Sequence, residues 1–190
     1  EDYNKNRKWY SKLGLSMSKS QYDEQGRTAM IDPPSFVVAI EKIFEKTGDR
    51  AWLDRLLPKA ERCVRYLTHD RDLFGDGLVA VVHPWETGTD SSPAYDKILG
   101  LDFSTPLGAP ARGLLYHHLI DYNMKFDWDL EVAKQKNRFM LEDACFNSIT
   151  MRAILSVANL CEKTGSPDKA KKYRELAQSM MDAMDRINWV

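Results

Sequence analysis

The sequence predicts an all-α protein built from helical hairpins. Three observations carry that expectation. Apolar residues recur at helical spacing through most of the chain, as they do in helices that turn one face inward. The tetrad Glu45-Lys46-Thr47-Gly48 returns as Glu162-Lys163-Thr164-Gly165. Each copy falls where one helical pattern stops and another begins, which is the punctuation of an αα-hairpin. Extended character is confined to one short apolar run, Leu78–Val82.

The elements follow in order. Pro33-Pro34 open a first helix, since the missing proline N–H has no partner in a first turn anyway. Phe36, Val37, Ile40, Ile43 and Phe44 mark its inward face, and Gly48 ends it by taking the left-handed conformation cheaply. Asp49 caps a second segment through Trp52, Leu53, Leu56 and Leu57. Pro58 is expected to break it and to start a further segment with Ala60, Val64 and Leu67 inward. From Thr68 to Gly108 no helical period is visible, and connections of that length are usually functional. A helix is predicted near Ala111–Asn123, with Leu114, Leu115, His118, Leu119 and Tyr122 on its inward side, and a weaker one near Asp129–Phe139. Two strong helices close the chain. Ala144–Lys163 turns Phe146, Ile149, Ala153, Ile154, Val157 and Leu160 inward. The last is capped by Ser166, has Pro167 at its first position, and runs through Ala170, Tyr173, Leu176, Ala177, Met180, Met184 and Ile187.

Composition bounds the function. The 190 residues amount to one domain at most, and 43% hydrophobic content supplies a core. Opposite charges nearly cancel at net −1 with no basic stripe, so no nucleic-acid partner is expected. No apolar stretch is read as a membrane span, and Glu1-Asp2-Tyr3-Asn4-Lys5 lacks the apolar core of a signal peptide. Cys63, Cys145 and Cys161 are odd in number and are read as buried free thiols, which suits a reducing, cytoplasmic compartment. Asp70-Arg71-Asp72 begins like a calcium loop, but Phe74 and Val81 stand where oxygen ligands belong. His117 and His118 are adjacent on a helix and point apart. Neither a metal nor a cofactor is expected.

The run His83-Pro84-Trp85-Glu86-Thr87-Gly88-Thr89-Asp90-Ser91-Ser92-Pro93 fits no amphipathic period. It sets carboxylates beside an indole on a proline-stiffened loop. A Trp offers a flat apolar face to a pyranose, and an Asp can protonate a glycosidic oxygen. From composition alone Asp90 is equally an Asx-turn residue before Ser-Ser-Pro.

This motif resembles the active-site loop of family 63-type glycoside hydrolases, closest to the mannosylglycerate and glucosylglycerate hydrolase branch. Supporting blocks are Pro33-Pro34, the lead-in Arg71-Asp72, Gly75-Asp76-Gly77-Leu78-Val79-Ala80-Val81-Val82, and Leu141-Glu142-Asp143-Ala144-Cys145-Phe146-Asn147-Ser148-Ile149. The resemblance implies an (α/α)6 barrel, a ring of hairpins with its active site at one mouth. Five or six helices are visible where such a ring needs twelve, so residues 1–190 are expected to be an incomplete portion of the catalytic domain. It also implies inverting hydrolysis of short α-glycosides, with Asp90 as general acid and a general base beyond this chain. For that role the Asp90 pKa must be raised, by burial against Trp85 or repulsion from Glu86.

The remaining loop residues keep two readings each. Trp85 is a sugar platform or loop packing; Glu86 binds a substrate hydroxyl or accepts loop N–H groups. Tyr95 lines the same subsite or packs beneath it, and His83 is a loop hydrogen-bonder or a catalyst. Asp32, Ser91, Thr87 and Thr89 depart from the residues usual at those places in the family. The expected partner is a small carbohydrate, with self-association or a complementary segment completing the barrel. A non-catalytic helical-hairpin binding or scaffold module is the alternative.

Overall fold

The structure is a computed structural model and describes residues 30–101, 108–124, 128–136 and 139–188. The reading of the extreme N-terminus lies outside them. The chain divides into two compact units, one formed by Asp32–Val81 with Leu141–Val190, the other containing Val82–Met140. Among the described residues the secondary structure is helical apart from one isolated β-bridge, as the sequence predicts.

The first unit holds two hairpins. Helix α1 is Ser35–Thr47 and α2 is Arg50–Arg65. Helix α6 is Ala144–Lys163 and α7 is Pro167–Asn188. Both repeated tetrads end in a left-handed glycine, Gly48 at φ 63° and Gly165 at φ 80°, which a Cβ would strain. Asp49 accepts the Trp52 N–H at 2.9 Å and Asp143 accepts the Phe146 N–H at 2.8 Å, so both helices start on an aspartate cap.

Helix α6 is the middle of this unit and touches α1, α2 and α7. Its buried residues, from Phe146 and Asn147 to Leu160 and Cys161, cover more than one stripe. By length and composition α6 could cross a membrane, which corrects the reading that no stretch qualifies. Its apolarity serves the core: Phe146, Ala153, Ile154 and Val157 are fully buried.

Two sequence expectations fail here. Pro58 does not break α2, which runs through it. Pro58 lies on the exposed face, so the carbonyl it leaves unpaired one turn back faces solvent, while Leu53, Ala60 and Val64 keep the other face packed. On α1, Phe36 and Ile43 are about half exposed, and Glu41 is buried instead. The Glu41 carboxylate accepts from Arg152 and Ser156 at 2.8 Å each and from Asn159 at 2.7 Å, tying α1 to α6. Burial raises its pKa, but the hydrogen bonds from Asn159, Ser156 and Arg152 outweigh it and hold the carboxyl below its ordinary value. The cysteines are free thiols; Cys161 is buried, whereas Cys145 is exposed in the first turn of α6, contrary to expectation.

Between α2 and the bridge, a π-helical turn at Tyr66–Asp70 leads into a loop held by Asp72. Its carboxylate accepts the N–H groups of Gly75 at 2.8 Å and of Asp76 and Gly77 at 3.1 Å each. This is what the calcium-like start of the segment does. The run Leu78–Val81 is fully buried and non-helical. Asn147 from α6 stands in for a neighbouring strand, accepting the Val79 N–H at 2.8 Å and donating to the Val79 carbonyl at 3.0 Å. Val81 then pairs antiparallel with Leu141 through N–H···O bonds of 2.9 and 3.1 Å.

The second unit contains the motif loop, the one-turn α3 at Asp96–Leu99, α4 at Gly108–Met124 and α5 at Leu130–Lys136. The inward face of α4 is not the one expected. Leu114 is 69% exposed and His118 is exposed, while Tyr116, Leu119, Ile120 and Asn123 form the buried stripe. Counting only apolar residues misses a stripe whose two ends are polar and hydrogen-bonded.

Candidate active site

The motif loop is built on two proline-led 3-10 turns, Pro84–Glu86 and Pro93–Tyr95. Proline suits both because a first position needs no N–H. Each is preceded by a side-chain acceptor: His83 Nδ1 takes the Trp85 N–H at 3.0 Å, and Ser92 Oγ takes the Ala94 N–H at 3.3 Å. The exposed tip between them carries Gly88, Thr89, Asp90 and Ser91.

His83 is fully buried. Since Nδ1 accepts, Nε2 carries the proton and donates it to the Tyr116 carbonyl at 3.0 Å. Burial pushes its pKa down to about 4, against a smaller opposing effect of that hydrogen bond. A neutral imidazole with both nitrogens engaged works as a loop clamp and has no proton to exchange with a ligand. Glu86 is equally buried. Its Oε1 accepts the Ile31 N–H at 3.1 Å and its Oε2 accepts the Val82 N–H at 2.6 Å. Of its two readings, the geometry is that of a structural acceptor.

The two departures Thr87 and Thr89 form a directed chain of hydroxyls. Thr87 Oγ1 donates to the Pro84 carbonyl at 2.8 Å, so it accepts from Thr89 Oγ1 at 3.0 Å. Thr89 in turn accepts from the Tyr95 hydroxyl at 2.8 Å. Tyr95 is 2% exposed and packs edge-on to Phe139 at 5.6 Å. Its place is beneath the loop, which leaves no ring face for a sugar. Asp96, at the start of α3, pairs with Arg112 of α4 at 2.7 Å.

Asp90 and Trp85 differ from these. The Asp90 side chain is exposed and has no hydrogen-bond or ion-pair partner among the described residues. No Asx-turn bond is present, and neither Trp85 burial nor a facing Glu86 surrounds the carboxylate as expected. What is held is its backbone: the Tyr116 hydroxyl donates to the Asp90 carbonyl at 2.5 Å. Trp85 is half-buried, edge-on to His83 at 5.0 Å, His117 at 5.6 Å and Tyr116 at 6.1 Å. The sequence reading named Asp90 and Trp85 but missed Tyr116. The signal was available in the spacing of Arg112, Tyr116 and Asn123 along one face of α4.

No three His, Cys, Asp or Glu side chains among the described residues group to hold a metal ion. Away from this loop, Glu142 has its pKa raised to about 7 by burial and by the neighbouring Asp76 and Asp72 charges.

The family profile of the mannosylglycerate hydrolase MGH1-like glycoside hydrolase domain matches residues 5–190. A mannosylglycerate hydrolase of Rubrobacter radiotolerans is 25% identical over 83% of this chain and 41% of its own length. The crystal structure of a GH63 mannosylglycerate hydrolase from Thermus thermophilus in complex with Tris is similar at TM-score 0.68 and 25% identity, over 82% of this chain and 43% of that one. The same protein in complex with glucose gives TM-score 0.63 and 26% identity, over 89% and 43%. The chain thus spans less than half the length of these relatives.

Proposed function

This chain belongs to the mannosylglycerate hydrolase MGH1-like glycoside hydrolase family, and on that premise we propose that it carries the general-acid side of a glycosidase for short α-linked sugars. Mannosylglycerate, glucosylglycerate and small α-glucosides are the substrate class. The observation that carries the reading is the state of Asp90: an exposed carboxylate without a partner among the described residues, on a loop where His83, Glu86, Thr87 and Thr89 are all engaged.

The sugar stacks on Trp85, and Asp90 protonates the glycosidic oxygen as the bond breaks. Closure of a substrate over the loop excludes water, so the proton passes to the leaving oxygen and not to solvent. Inversion requires a second carboxylate about 6.5–9.5 Å away, with a water between it and the anomeric carbon. In this unit Glu86 is turned inward onto backbone N–H groups and Asp96 is paired with Arg112. That supports a base supplied by a carboxylate outside residues 1–190, with this chain as a portion of the barrel. The scaffold alternative has no comparable support in the loop.

Asp90→Asn in the natural gene product tests the reading. Asn keeps the shape and cannot donate the proton, so kcat is expected to fall about 10²–10⁴-fold for a poor leaving group. The loss shrinks for an acidic leaving group, which departs unprotonated. Equal losses for both would remove Asp90 from the acid role.

A further inference from the structure

We propose that Tyr116 is the positioning residue of the acid, its hydroxyl fixing the Asp90 backbone and thereby the direction of the carboxylate. The proposal rests on the reading of Asp90 as general acid. Tyr116 sits on α4, 3% exposed, and holds the motif loop at three places. Its hydroxyl donates to the Asp90 carbonyl. Its own carbonyl accepts the His83 Nε2–H at 3.0 Å. Its ring lies edge-on to His83 at 5.6 Å and to Trp85 at 6.1 Å. One residue therefore touches the acid, the platform and the clamp.

The loop tip needs such a tether. Gly88, Thr89, Asp90 and Ser91 are all exposed, so no packing orients them. Two tyrosine hydroxyls bond the tip, Tyr95 to Thr89 and Tyr116 to Asp90, and the second acts on the acid residue itself. A carboxylate must meet the leaving oxygen at hydrogen-bond distance, and small misplacements cost rate more than binding. The phenol stays a donor at neutral pH: burial raises its pKa and the Asp96 and Asp90 charges add to this, against Arg112.

Tyr116→Phe removes the hydroxyl and keeps the ring. In the natural gene product it is expected to lower kcat about tenfold with KM within about twofold. The loss is larger for a poor leaving group than for an acidic one, because a misdirected acid matters only where protonation is needed. Hydrogen exchange at the amides of residues 88–92 is expected to rise. Tyr122→Phe is the control: it removes a like bond from the same helix, to the Lys136 carbonyl, and changes neither readout. Unchanged exchange in Tyr116→Phe, or equal loss for both leaving groups, overturns the proposal. If exchange rises while Asp90→Asn remains active, the acid assignment falls and the tether stands. If Asp90→Asn is inactive and Tyr116→Phe is indistinguishable from the parent, the tether falls and the acid stands.

Discussion

Replacing Asn147 by Leu isolates the contribution of one amide to the core. Asn147 is fully buried, and so is Val79. The amide accepts the Val79 N–H and donates to the Val79 and Asp143 carbonyls. The Asp143 carbonyl keeps a partner in the Asn147 backbone N–H. Leu therefore orphans two buried groups, the N–H and C=O of Val79. Each unmade bond costs about 1–3 kcal/mol, or roughly 2–6 in all. Burial of the added apolar surface returns about 1–2 kcal/mol. At the middle of these ranges, about 4 lost and about 1.5 returned, the net expectation is a loss of about 2.5 kcal/mol, a large fraction of the roughly 5–15 that holds a domain. Asn147→Asp sharpens the test. A carboxylate can still accept from Val79 but presents negative charge to two carbonyls, so its cost at neutral pH equals or exceeds that of Leu and falls as acid protonates it. Urea unfolding followed by circular dichroism, at constant m, reads both. A Leu variant within about 1 kcal/mol of the parent, or a harmless Asp variant at neutral pH, would refute the reasoning.

Two pH effects of opposite sign follow from His83 and Glu142. His83 is held at about 4 when folded against 6.5 when free, so the folded state binds fewer protons between those values and its stability, present above pH 6.5, is lost as pH falls toward 4. The full difference is on the order of 3 kcal/mol, and His83→Asn, which accepts from Trp85 but does not titrate, is expected to remove that slope from urea midpoints at pH 8 and 4.5. Glu142 is raised to about 7 from 4.5, so the folded state binds more protons across that window and loses stability as pH rises through it. Glu142→Gln is expected to stabilise the protein at pH 8, on the order of 1 kcal/mol after solvent screening, and not at pH 4; an equal gain at both pH values counts against a titration origin.

Much of the hairpin unit was legible because its boundaries are written in side chains that act locally. Asp49, Ser166 and Pro167 mark starts, and Gly48 and Gly165 mark stops, so α2 and α7 begin where their signals put them. What escaped depends on partners distant in sequence. Glu41 looks like a solvated helix residue until Arg152, Ser156 and Asn159 come round to it. Tyr116 and Asn123 look polar enough to face water, yet they bury because His83, Asp90 and Val82 supply matching groups. Pro58 was misjudged for the converse reason, since an exposed helix face lets water serve the carbonyl that proline abandons. At the motif loop, Asp90 and Trp85 could be singled out by residue type, whereas the inward turn of Glu86 and the packing of Tyr95 are set by the fold.

The bridge between Val81 and Leu141 has a topological consequence. These residues are where the chain leaves the hairpin unit and where it comes back, and they face each other as an antiparallel hydrogen-bonded pair. To the hairpin unit, everything from Val82 to Met140 is therefore an insertion between two adjacent ends. A tight turn of about two residues can join an antiparallel pair of this kind, so the four-helix part is closed without its guest. The motif loop thus lies in a segment spliced between two hydrogen-bonded ends of a helical frame.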